Sequence, residues 1–321
     1  MRQPKDAGNA SGKAKLMGFV LCLLFLVESL SGCGWLPTNY RPTPEKLIRD
    51  ITTASHYRKK IGVATIQNYA GIDQNSLENV LFQVLTDTMR KECGNALLIT
   101  AEAPEAIDIF TSLPRLENGV IDSFTLSNAG RNEGYNAILT GSLATITTRE
   151  ERKGLWWFRK NHHYLQILIF IDVYDTHDAS KIFSQAILKE FEIKAEDADK
   201  IKTEGKVDLS LIKEHIEEIA ENAGVDVCDA VDGSIWKGFV TESNNKEVTL
   251  SCGSVQGIRS GDQFEIFDSS RTMDNYQGQK FFVPGYKIGE IEISQVRNNH
   301  SKAKVLTSDP LPVGSIVIPK Y

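Results

Sequence analysis

The sequence predicts an α+β fold, a mixed α/β sheet covered by helices, followed by a small all-β barrel or sandwich. Three observations carry that expectation. A strand, an amphipathic helix and a second strand follow one another between Lys60 and Thr100, the pattern of a βαβ unit. Three long β-rich runs then lie between Ala137 and Lys194. After Ile235, short strand-like runs separated by glycine turns replace helices. The boundaries read from this are a leader over 1–32, a tether over 33–43, an α/β domain over 44–234 and a β-rich domain over 235–321.

The leader is basic, then apolar, then small. Arg2, Lys5, Lys13 and Lys15 precede the run Leu16–Val27, which would span only about 18 Å as a helix against ~30 Å for a hydrocarbon core. It ends in Leu30-Ser31-Gly32-Cys33, which resembles the lipobox of bacterial lipoproteins. That resemblance implies transfer of a diacylglyceryl group to the Cys33 thiol, cleavage after Gly32, a third acyl chain such as palmitate on the new amino terminus, and so a lipid anchor in a membrane. Gly34 in place of Asp after the cysteine implies the outer membrane and its periplasmic face. The alternative is an ordinary secretion leader, or an uncleaved anchor, with Cys33 incidental. Two prolines and two aromatics in GWLPTNYRPT then read as a tether, and Pro44 as the first position of a short helix.

Removing residues 1–32 takes away four bases and two acids, so the formal charge moves from −6 to −8. So acidic a chain is no nucleic-acid binder. Of the five cysteines, Cys22 leaves with the leader and Cys33 takes lipid, so Cys93, Cys228 and Cys252 can make at most one disulfide. Their spacing matches no zinc or redox motif, and they read as buried or half-buried free thiols.

Lys60–Ile66 reads as a buried strand. Leu77, Val80, Leu81, Val84, Leu85 and Met89 then make the apolar stripe of a helix capped at Asn75 or Ser76 and ending near Cys93-Gly94. Ala96–Thr100 is the returning strand, and prolines and glycines over 101–134 predict short helices and loops. In the run Tyr164–Asp175, Leu165, Ile167, Ile169, Ile171 and Val173 share one face. A third strand, Ile182–Lys194, leads through a polar bridge over 195–205 to the longest helix, striped by Leu209, Ile212, Ile216, Ile219, Ala223 and Val227, with Gly224 ending or bending it.

This order, with Asn136–Leu143 and a strand ending Asp172-Val173-Tyr174-Asp175, resembles the periplasmic α/β module of the curli secretion-channel lipoprotein, the lipoprotein activators of penicillin-binding proteins and the Tol-system β-propeller protein. The carboxy-terminal stretch resembles the last domain of flagellar assembly protein T in its Gly253–Asp262 turn, Gly289-Glu290-Ile291 and Gly314-Ser315-Ile316-Val317. Six short strands are expected there, Lys237–Glu242, Glu247–Ser251, Gln263–Phe267, Lys287–Val296, Ser301–Leu306 and Ser315–Ile318. Neither resemblance brings a catalytic motif.

Histidine and acid spacing point the same way. His162-His163 sit next to each other at the start of a strand, on opposite faces, and no pair has metal-protease spacing. Asp172, Asp175 and Asp178 read as strand end and turn, and Asp226, Asp229 and Asp232 as a solvated helix edge. No catalytic residue, metal ligand or cofactor is expected. What stands out is Arg149–Lys160, a charged connection carrying Leu155, Trp156, Trp157, Phe158 and Arg159. Either those rings fold back over the sheet edge, or they form a docking loop for another copy, an envelope protein or a membrane surface. The expectation is a non-enzymatic scaffold, adaptor or assembly factor of the cell envelope. The alternatives are an oligomeric ring component of a secretion or flagellar apparatus and, below it, an enzyme with dispersed catalytic residues.

Overall fold

The computed structural model describes residues 56–71, 77–244, 246–307 and 311–320. The leader, Leu30-Ser31-Gly32-Cys33, the tether, the helix expected after Pro44 and the cap at Asn75 or Ser76 lie outside the described residues.

Five strands form the first sheet: β1 (Lys59–Asn68), β2 (Ala96–Thr100), β3 (Ala137–Lys153), β4 (Lys160–Asp175) and β5 (Lys181–Ile193), in the order β2-β1-β3-β4-β5. β1 runs parallel to β2 and β3, and β3, β4 and β5 form an antiparallel meander. Helix α1 (Leu77–Glu92) supplies the crossover from β1 to β2. A short 3-10 turn at Asp108–Phe110 and α2 (Ser123–Asn132) interrupt the long connection to β3, as its prolines and glycines predict. The alternating β4 behaves as its sequence predicts: Leu165, Ile167, Ile169, Ile171 and Val173 are fully buried against α1 and α4 (Leu209–Asp232). On the opposite face Phe110, Leu113, Leu126, Tyr135 and Ile138 build a smaller core under the 3-10 turn and α2.

Three readings are corrected. The polar bridge over 195–205 is a helix, α3 (Ala195–Glu204). Glu196 and Asp197 suit its positive amino end, Gly205 closes it in the left-handed region at φ 63, and only Ala198 and Ile201 reach the core, which is why no apolar stripe announced it. Helix α4 does not end at Gly224 but runs on to Asp232. That glycine is buried where α4 crosses α1, and a Cβ there would stand 2.8 Å from the Thr88 methyl. Finally, Cys93 and Cys228 are not free thiols: they form a disulfide joining the end of α1 to α4 across 135 residues of sequence. Cys252 is free and buried, and burial pushes its thiol up to about 12.

The remaining strands close a six-stranded barrel, in the order β11-β12-β7-β6-β13-β8. They are β6 (Gly238–Ser243), β7 (Glu247–Leu250), β8 (Gln263–Phe267), β11 (Lys287–Val296), β12 (Ser301–Val305) and β13 (Ile316–Pro319), the six runs expected from the sequence. A two-stranded excursion, β9 (Thr272–Asp274) and β10 (Lys280–Phe282), is additional. It leaves the barrel to stack Phe282 on Phe124 of α2, ring centroids 4.4 Å apart.

Sheet and barrel belong to one compact unit. Tyr57, just before β1, and Trp236, just after α4, both enter the barrel core against Phe264, and the Trp236 indole donates to the Arg58 carbonyl at 3.1 Å. Polar groups seal the seam. The buried Asn136 amide donates to the Lys237 carbonyl at 2.6 Å while its oxygen accepts from the Lys60 amide at 3.0 Å. Arg131 donates to the Thr176 carbonyl and the Ser269 hydroxyl and lies 3.4 Å from the centre of the Phe282 ring. Burial depresses its guanidinium to about 10, even with Asp175 and Asp178 nearby, so it stays charged at neutral pH. The Lys59 ammonium reaches the carbonyls of Val231 and Asp232 at 2.8 and 3.1 Å, where the end of α4 favours a cation.

Candidate docking site at a hairpin tip

The long connection between β3 and β4 is shorter than its sequence suggests, because the charged residues flanking the aromatics are strand. The ladder continues from Ala137 opposite Asp175 to Lys153 opposite Lys160, which leaves Gly154–Arg159 as the tip. Neighbouring strands stop earlier. β1 pairs with β3 no further than Leu143, and β5 pairs with β4 no further than His163 opposite Ile193. Beyond that point the hairpin is a two-stranded arm.

Side chains stiffen the base of this arm. Arg149 donates twice to the Glu190 carboxylate, at 2.7 and 3.2 Å, and Gln166 donates to the same group at 2.6 Å. These bonds, Arg149 first, hold the Glu190 carboxyl below the usual carboxylate range. Lys153 donates to the Tyr164 hydroxyl at 2.8 Å, and His162 Nδ1 meets Glu192 at 2.7 Å. Each bond is solvent-exposed and individually weak; together they fix the direction in which the tip points.

The rings do not fold back over the sheet edge. Leu155, Trp156, Trp157 and Phe158 are 73% to 85% exposed, in a 3-10 turn closed by the Phe158 amide donating to the Leu155 carbonyl at 2.8 Å. Trp156 and Trp157 stack with centroids 5.0 Å apart and planes 19° from parallel. The turn needs Gly154, at φ 124, because a Cβ there would lie 2.6 Å from the Phe158 carbonyl oxygen. Trp156 is itself in the left-handed region at φ 38, where a bulky residue is strained. The strain works against the isolated fold, and the four exposed apolar side chains add no burial to offset it.

Among the described residues, two hollows are of a size for small molecules. One, of about 190 Å³, lies on the open sheet face beside Phe170, Thr140, Asp172, Lys181 and Arg115. Asp172 accepts from Lys181 at 2.7 Å and Ser184 at 2.6 Å, and Arg115 donates to the neutral Gln67 and Tyr69 side chains. The second, of about 510 Å³, lies between the end of α2 and the barrel, beside Glu133, Glu242, Arg297 and His300. Among the described residues, no three His, Cys, Asp or Glu side chains stand where they could hold a metal ion together.

Of the aspartates, Asp226, Asp229 and Asp232 lie on the exposed edge of α4. Asp178 accepts from the Ser180 amide in the turn. Asp175 does more than end a strand: it is buried and paired with Lys237. Sequence reading missed that pair, as it missed Asn136 and Arg131. The one available signal was Lys237 itself, a charge inside the otherwise apolar run Ile235–Val240.

No family model matches this chain, and no curated protein matches it. It is similar to several solved structures at low identity. A hypothetical protein from Chlamydia trachomatis is 12% identical, over 54% of this chain and 98% of that one, with a TM-score of 0.32. The PelC dodecamer from Paraburkholderia phytofirmans is 12% identical, over 55% and 90%, with a TM-score of 0.29. A lipoprotein from Neisseria meningitidis is 10% identical, over 51% and 97%, with a TM-score of 0.27. Likeness at this level assigns no function, which therefore has to be argued from the chain's own residues.

Proposed function

We propose that this chain is a lipid-anchored scaffold of the bacterial envelope, acylated on Cys33, held at the periplasmic face of the outer membrane and without chemistry of its own. The observation that carries the reading is the arm: a stiffened hairpin projects four exposed apolar side chains from a body whose sheet and barrel are sealed together. A contact point on a rigid mount is what an adaptor requires, and exposed apolar patches mark contacts. The interior charges Asp175, Lys237 and Arg131 are committed to the seam, and Asp172 and Lys181 of the smaller hollow to each other. The lipobox and the pattern shared with the curli-channel, penicillin-binding-protein-activator and Tol-type modules support an envelope assembly role. The resemblance of the carboxy-terminal sequence to flagellar assembly protein T favours a docking function for the barrel, and no flagellar role is carried over.

A ring component is the second reading, favoured by β5. It is the edge of the sheet, thirteen residues long, with Leu188 exposed at 62%, and an unpaired edge can accept a strand from another copy. Light scattering of the full chain extracted in mild detergent separates the two. One copy bound to a stoichiometric envelope protein is expected; a closed assembly of many copies would replace the adaptor with the ring.

A further inference from the structure

We propose that the occupant of the hairpin tip is the headgroup layer of an anionic bilayer, into which Leu155, Trp156, Trp157 and Phe158 insert. The inference rests on reading the tip as a contact point and names what it contacts.

Charge makes the first argument. The whole chain carries a formal −6, yet Arg149–Lys160 holds five bases against two acids, a local +3. Arg149 and Lys153 are engaged with Glu190 and Glu151, whereas Arg152, Arg159 and Lys160 enter no ion pair among the described residues. An acidic protein meets an anionic membrane more favourably through a cationic projection than through its acidic body, and this cationic projection is also the aromatic one.

Size makes the second. A stable protein interface takes about 20–30 residues a side, and a six-residue tip cannot supply that alone. A bilayer asks for no complementary pocket. It takes apolar rings below and cations at the phosphates, and indole suits that boundary because one edge is polar and the body is apolar. Geometry agrees, since the pairs Arg152–Asn161 and Lys153–Lys160 lie beyond the last residue that β5 covers, so the tip can meet a flat surface first.

The test reconstitutes the full chain carrying Trp35→Phe into vesicles whose acyl chains are brominated, and reads quenching of tryptophan emission. Of the four tryptophans only Trp156, Trp157 and Trp236 then remain, and Trp236 is 2% exposed inside the barrel core. Vesicles of phosphatidylcholine with phosphatidylglycerol should quench; phosphatidylcholine alone should quench far less. Raising salt from about 0.1 M to about 1 M, which shortens the screening length from about 10 Å to about 3 Å, should weaken the effect. Arg152→Glu with Arg159→Glu and Lys160→Glu should abolish it with both tip tryptophans still present.

Equal quenching with and without the anionic lipid would overturn the proposal. So would quenching that survives Trp156→Ser with Trp157→Ser. A photo-crosslinker at position 157 in whole cells separates the two levels of the argument. A protein adduct without vesicle quenching would replace the lipid by a protein partner and leave the docking site standing. Neither quenching nor an adduct would remove both.

Discussion

The Lys237 ammonium lies 2.6 Å from the Asp175 carboxylate, and both side chains are less than a tenth exposed at the seam between sheet and barrel. Burial works against the Asp175 charge, but Lys237 and the neighbouring His177 outweigh it and hold the carboxyl below its usual value. Replacing Lys237 by Met leaves that carboxylate buried and unpaired, a loss of about 3–5 kcal/mol. Lys237→Met with Asp175→Asn should lose clearly less than the single change, as read from urea unfolding. Equal losses would mean that packing, and not charge, seals the seam.

His177 gives the same seam an acid limit. Burial, then repulsion from Lys237, lowers its imidazole from 6.5 to about 4 against the pull of Asp175 and Asp178. Between those values the unfolded chain takes up a proton that the folded chain refuses, so stability falls as pH drops from 6.5 towards 4. Asp175, whose folded value lies below 3.8, adds a further loss beneath that pH. The slope between pH 6.5 and 4 should flatten in His177→Gln; an unchanged slope would place the acid sensitivity elsewhere. At the other limit, burial lowers Lys59 to about 8, so stability should rise from pH 8 towards 10.5.

The disulfide has a direct chemical check. In the lipidated chain, unfolded without reductant, one thiol should react, that of Cys252, because Cys93 and Cys228 are joined. Three reactive thiols would disprove the bond. Cys93→Ala with Cys228→Ala should cost about 2–5 kcal/mol.

At the tip the expected sign is unusual. Trp156→Gly removes an exposed ring and relieves a left-handed backbone, so the melting temperature should hold or rise, by at most about 1 kcal/mol of stability. A clear fall would show that the ring packs against the body.

The anchor is tested by Cys33→Ser, after which the chain should leave the membrane fraction or remain unprocessed. Unchanged membrane association of a processed chain would end the lipoprotein reading.

Local patterns made much of this fold readable. The alternation of Leu165 to Val173 and the stripe from Leu209 to Val227 each follow from one element burying one face, so neighbouring residues suffice to reveal them. Charge hid α3 and the outer rungs of the hairpin, because Arg149–Lys153 lie beyond the core and bury nothing that would leave a period of two. The Trp156-Trp157 cluster was visible as composition, but its exposure depends on where β5 stops. Asp175 with Lys237, and Cys93 with Cys228, are separated by 62 and 135 residues and join only when sheet, helices and barrel are in place.

The threading of Tyr57 and Trp236 into the barrel ties the start of β1 to strands far along the chain. Trp236 meets the backbone of Arg58 across 178 residues, and the barrel strands that enclose both rings all follow them in sequence. The start of β1 is paired with β2 at Lys59, but the Tyr57 ring just before it is enclosed only when the barrel closes. Contacts this distant in sequence form slowly. A chain truncated before Ile316 would therefore lose two barrel seams and open the core that holds Tyr57, so a cut late in the sequence would loosen the residue that leads into β1.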